Sequence, residues 1–125
     1  MGRRERQRRR ADRSGADAAV ERAPGSEYRG EDGGVLVLRG SLTPAARREY
    51  AETLAGGLDR EDARQRAIEL LFERLAVSWT IAGVCSVRQR ELLGRYRMAS
   101  TAERDWVLRA LREHVAEHFP EMAAP

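Results

Sequence analysis

The chain has 125 residues, with 23 basic and 20 acidic side chains and a formal net charge of +3, a length that suits one domain. It contains no run of about 18 apolar residues, and no apolar stretch follows its basic N-terminus, which excludes a membrane span and a secretory signal. One cysteine, Cys85, cannot close an internal disulfide and fits a reducing, cytoplasmic setting.

Every basic residue is arginine, and lysine and asparagine are absent, while alanine occurs 19 times. A GC-rich coding sequence produces this bias, so the arginine count by itself says little about phosphate recognition. Position says more. Residues 1–13 carry seven arginines against Glu5 and Asp12, a net +5, and the remaining 112 residues carry 16 arginines and 18 acids, a net −2. A nucleic-acid-binding body more often carries a positive excess.

Residues 1–33 mix charges with Gly, Ala, Ser and Pro and are too polar to offset the entropy of ordering. They are expected to form a disordered arginine-rich leader ahead of a helical domain at 34–125, and their removal is expected to leave the fold intact. Three readings of the leader stand. Arg3, Arg4, Arg8, Arg9 and Arg10 can form a nucleic-acid arm. The segment can be a solvated tail. The start codon can also have been placed too early, with GTG at Val35 or Val37 the true start.

Val35-Leu36-Val37-Leu38, between glycines, predicts a short extended segment. Thr43-Pro44 predicts a capped helix running to about Ala55 and stopping at Gly56-Gly57. Asp59 caps a second helix with Glu61 and Asp62 in its first turn. Ala67, Ile68, Leu71, Phe72, Leu75 and Trp79 recur at helical spacing and mark the centre of the core. The β-branched and aromatic stretch Val77–Ile81 predicts a strand that pairs with residues 35–38. Ser86 and Gln89 have capping-box spacing and predict a third helix over about 87–96, with Cys85 a small buried thiol at its head. Ser100 and Glu103 predict a second box and a long fourth helix closed by Pro120, after which the tail should fray. The expected fold is mainly α: a four-helix small domain with a minor two-stranded β element and a disordered basic N-terminal leader.

Three constellations bear on function. His114-Val115-Ala116-Glu117-His118 is an H-x-x-E-H pattern, in which two histidines one helical turn apart can share a zinc and the glutamate can act as base. No third ligand is marked, so no enzyme activity, metal or cofactor is expected, and His114 and His118 read as histidines on a helix face. The helices at 87–118 are joined by a short turn, like a helix-turn-helix, with Arg88, Arg90, Arg97 and Arg104 around it. Their first turns carry Glu103 and Asp105, which oppose entry into a DNA groove. Tyr96, Trp106 and Phe119 are candidate aromatic contacts for a protein partner or for self-association.

Leu70-Leu71-Phe72-Glu73-Arg74-Leu75-Ala76-Val77-Ser78-Trp79-Thr80 ends a helix in an apolar-Ser-Trp-Thr step, followed by a glycine turn and a new helix. This stretch resembles the tail-assembly chaperones of tailed phages and prophages. The resemblance implies a non-catalytic assembly protein that binds a tape-measure-like partner; it assigns no site residue. The expected function is therefore protein interaction in assembly. The alternative is a small DNA-binding protein using the leader and the helix pair.

Overall fold

The computed structural model describes residues 25–125. Strands β1 (Ser26–Arg29) and β2 (Val35–Leu38) form an antiparallel hairpin, with Ser26 opposite Leu38 and Arg29 opposite Val35. Its loop closes through the Gly33 amide donating to the Gly30 carbonyl at 3.1 Å and the Gly30 amide donating to the Gly34 carbonyl at 2.9 Å. Gly33 sits at φ 84°, the left-handed position that such a short loop demands.

Helix α1 (Pro44–Ala55) begins where Thr43 Oγ1 accepts from the Ala46 amide, with proline at the first turn. Helix α2 (Arg60–Leu75) begins at Asp59, whose carboxylate accepts from the amides of Glu61 and Asp62. The chain passes directly from α2 into β3 (Ala76–Ile81), which pairs antiparallel with β2. A bulge shifts the register between Val37 and Leu38, so that Val77 is the extra residue and stays exposed. Ala82 and Gly83, both at positive φ, turn the chain into β4 (Val84–Ser86). Two central residues in that conformation make a type I′ turn, whose twist matches the strands it joins. Helices α3 (Gln89–Met98) and α4 (Thr101–His118) complete the described fold.

The four strands make one antiparallel sheet in the order β1-β2-β3-β4. Alternation puts Leu36, Leu38 and Trp79 on the face buried against the helices. Helix α2 supplies the centre: Ile68, Leu71, Phe72 and Leu75 are each at most 1 % exposed. The Phe72 ring meets Trp79 edge-on at 5.6 Å and stacks on Tyr96 at 5.0 Å. Val107, Leu111 and Val115 of α4 close the core from the other side.

The expected mainly α domain with a two-stranded edge is thus corrected to four helices packed on a four-stranded antiparallel sheet, an α+β arrangement. Two strands were hidden. β1 reads as a polar leader because it is an edge strand with only Ser26 and Tyr28 turned inward, while Glu27 and Arg29 are exposed. β4 reads as the head of the third helix because of the Ser86–Gln89 spacing. Ser86 instead pairs with Trp79 in the sheet, and α3 starts at Gln89 with no side-chain cap. Cys85 accordingly lies exposed on β4, not buried before a helix.

Residues 1–24 of the expected leader, including Arg3, Arg4, Arg8, Arg9 and Arg10, lie outside the described residues. Residues 26–29 take part in the fold, so a chain beginning at Val35 or Val37 would lack β1. The C-terminal tail, expected to fray, is tied down. The Tyr50 hydroxyl donates to the Ala123 carbonyl at 2.7 Å, and Arg112 Nε donates to the Pro125 carbonyl at 3.0 Å. Burial pushes the Tyr50 phenol up to about 12, so it stays a donor throughout the ordinary pH range.

Candidate functional site

Helix α4 owes its length to its own ends. Ser100 and Glu103 form a reciprocal capping box at the start. From there α4 runs beside β1. One of its faces, with Val107, Leu111 and Val115, is core. A second stripe, Ala102, Trp106, Arg109, Glu113 and Glu117, follows helical spacing and opens into a groove of 1020 Å³. The opposite wall is β1 with the β1–β2 turn, and Trp79 and Ile81 lie at the base.

The groove is acidic. Glu27, Glu31, Asp32, Glu103, Glu113 and Glu117 line it against two arginines, Arg29 and Arg109, a net charge of −4. Among the described residues Glu31, Glu113 and Glu117 form no ion pair, whereas Glu27 is 3.4 Å from Arg29. The negative field reaches the Tyr28 hydroxyl. Burial, then Glu117, then Glu113 hold that phenol above its usual range. The half-buried Trp106 packs under the turn so closely that a Cβ on Gly30 would lie 3.3 Å from its Cε2.

The two histidines of the H-x-x-E-H pattern anchor β1 to α4. His114 is fully buried, and its Nε2 must donate to the Arg39 carbonyl, which can only accept. Its Nδ1 then accepts from the Tyr28 hydroxyl at 2.9 Å. Burial holds the His114 imidazole below its usual pKa, against the bond to Arg39, which raises it. His118 Nε2 is 3.0 Å from Ser26 Oγ, and the two imidazole centroids are 4.4 Å apart. Both His114 nitrogens are therefore engaged. Among the described residues no group of three or more His, Cys, Asp or Glu could hold a metal ion.

The candidate aromatic contacts separate. Trp106 lies in the groove. Tyr96 is 5 % exposed and stacked on Phe72, and Phe119 is 1 % exposed under the Arg47 guanidinium at 5.1 Å. Both are core residues, which corrects their reading as partner contacts. Spacing alone could not separate them, because all three rings sit near helix ends or helix margins.

The arginines of the helix pair also separate. Arg97 pairs with Glu69 at 3.3 Å. Arg95 donates to the carbonyls of Trp79 and Val84 and so straps α3 to the β3–β4 hairpin. Arg88, Arg90 and Arg104 are exposed and belong to no ion pair among the described residues. The groove face of α4 carries Glu103, Glu113 and Glu117, the wrong sign for a phosphate backbone.

Fold and site together define an α+β domain with an acidic groove beside an edge strand. No protein-family profile matches the chain, and no curated protein or solved structure matches it either. Among the described residues no helix is long and apolar enough to cross a membrane.

Proposed function

We propose that the protein is a non-catalytic interaction protein that works in assembly and meets its partner through the groove between β1 and α4. The observation that carries this reading is the groove itself: a long open channel with a half-buried tryptophan and unpaired carboxylates on its walls. Protein-binding sites combine an aromatic anchor with a polar rim in this way. The engagement of both His114 nitrogens in holding β1 favours this reading over zinc-dependent hydrolysis. The sign of the groove favours a protein partner over DNA. The resemblance at Leu70–Thr80 makes a tape-measure-like protein of a phage tail the first partner to try.

A benzophenone side chain placed at Arg109, in the groove, and at Arg48, on the exposed face of α1, tests the reading by photo-crosslinking in the producing cell. The expected result is one discrete protein adduct from position 109 and none from position 48. Adducts to nucleic acid, or equal ladders from both positions, would refute it.

A further inference from the structure

We propose that the groove takes an extended, arginine- or lysine-rich segment of a partner protein, added as a fifth strand on β1. The inference rests on the groove reading above and names the chemistry of what fills it.

β1 is the edge of the sheet. Gly30 and Gly34 form a hydrogen-bonded pair at the turn. Alternation along an antiparallel ladder then makes Tyr28–Leu36 and Ser26–Leu38 the bonded pairs. The peptide groups of Glu27 and Arg29 consequently point away from β2, toward the free edge. Native edges are blunted by shortness, by charged side chains (lysine above all), by proline, by bulges or by a covering element. β1 is short and carries two charges, but among the described residues it has no proline and no lysine, and its two outward side chains, Glu27 and Arg29, neutralise each other. A segment laid along this edge gains main-chain hydrogen bonds, as strand-adding peptides do.

Length and charge fix what that segment is. The α4 stripe from Ala102 to Glu117 spans about 22 Å at 1.5 Å per residue. That distance holds about seven residues of extended chain. Alternate side chains of such a strand would point toward α4 and meet Trp106, Glu113 and Glu117. A guanidinium over the Trp106 ring and beside these carboxylates satisfies both the ring and the charge. An acidic or neutral segment leaves four negative charges uncompensated. The same surface excludes nucleic acid on sign.

The test uses the full chain labelled with nitrogen-15, in which the Trp106 indole N–H signal, assigned by its loss in Trp106→Phe, reports on the α4 wall of the groove. The probe is the peptide Arg-Thr-Arg-Val-Arg-Thr-Arg-Val, with a control carrying glutamine for every arginine. The basic peptide should shift the Trp106 signal and bind less tightly as salt rises. Replacing both Glu113→Gln and Glu117→Gln should weaken binding about fivefold, since exposed ion pairs are individually modest. Glu121→Gln, outside the groove, should leave it unchanged. A basic peptide methylated at alternate backbone nitrogens should lose binding if it adds as a strand. Equal binding of the glutamine control would overturn the basic-segment inference and leave the groove reading standing. No Trp106 shift with the basic peptide would overturn the basic-segment inference, while the crosslink from position 109 decides the groove reading separately. Binding that emerges only after the seven arginines of residues 1–13 are changed to glutamine would overturn the separate partner in favour of the chain's own segment.

Discussion

Acid should loosen the protein through His114. In the folded chain this imidazole is fully buried, donates to the Arg39 carbonyl and accepts from Tyr28. The groups facing it are Tyr28 from β1, the Arg39 carbonyl after β2, and His118 and Glu117 from α4 itself. Burial lowers its pKa relative to the unfolded chain. The unfolded state therefore binds more protons once the pH drops below the unperturbed histidine value of about 6.5. Stability is full above that value and is lost as the pH falls toward the folded pKa. Between pH 7.5 and 5.5 the loss is at most about 1.4 kcal/mol, the value for a folded state that takes up no proton in that window. Urea midpoints at pH 7.5, 6.5 and 5.5, at constant m-value, read it directly. His114→Gln retains an amide donor for Arg39 and cannot titrate. That variant should start about 1–2 kcal/mol less stable, because Tyr28 loses its partner, and should show a flatter profile. A variant as pH-sensitive as the native chain, or a native chain that gains stability on acidification, would refute the argument. His118→Gln serves as the control for the neighbouring ring.

Three further outcomes follow from the packing. Trp79→Ala removes a side chain that is 1 % exposed and in edge contact with Phe72, and should cost about 3–5 kcal/mol by urea denaturation; a loss under about 1 kcal/mol would place Trp79 outside the core. Ala82 is the non-glycine residue at positive φ among the described residues, at 49°, so Ala82→Gly should raise stability by about 0.5–1 kcal/mol, and a decrease would contradict the type I′ turn. Deleting residues 1–33 removes β1, strips Leu36 and Leu38 of a neighbouring strand and leaves His114 Nδ1 without its donor; a fall of at least about 2 kcal/mol is expected, and an unchanged midpoint would show that β1 contributes nothing to the sheet.

What was legible in the sequence was the part in which local chemistry and tertiary structure agree. Thr43-Pro44, Asp59 and Ser100 with Glu103 start helices because their oxygens satisfy amides that any helix leaves unpaired, whatever it packs against. The α2 stripe was legible because it repeats with the helical period, and the pairing of Val77–Ile81 with residues 35–38 because β-branched and apolar runs bounded by glycine favour extended chain. Ser86 and Gln89 show the limit. Their spacing is that of a cap, but Ser86 is held in the sheet opposite Trp79 before the helix begins. β1 shows the converse. Four residues with two exposed charges carry no strand period strong enough to read, and what makes them a strand is the unpaired edge of β2.

The groove was illegible because its walls come from the two ends of the described chain. Tyr28 and His114 are 86 residues apart, and Ser26 and His118 are 92 apart, yet these two bonds set β1 against α4. The H-x-x-E-H spacing put both histidines on one helical face without showing what faces them. A strand occupies them. Once the imidazoles hold β1, Glu113 and Glu117 are left on the adjoining face with no ion pair among the described residues, and Trp106 lies half-buried beside the turn at Gly30. Of the H-x-x-E-H residues, Glu117 thus lines the acidic groove while His114 and His118 hold its β1 wall in place. The groove's natural complement is a chain that brings both backbone donors for the β1 edge and positive charge for α4.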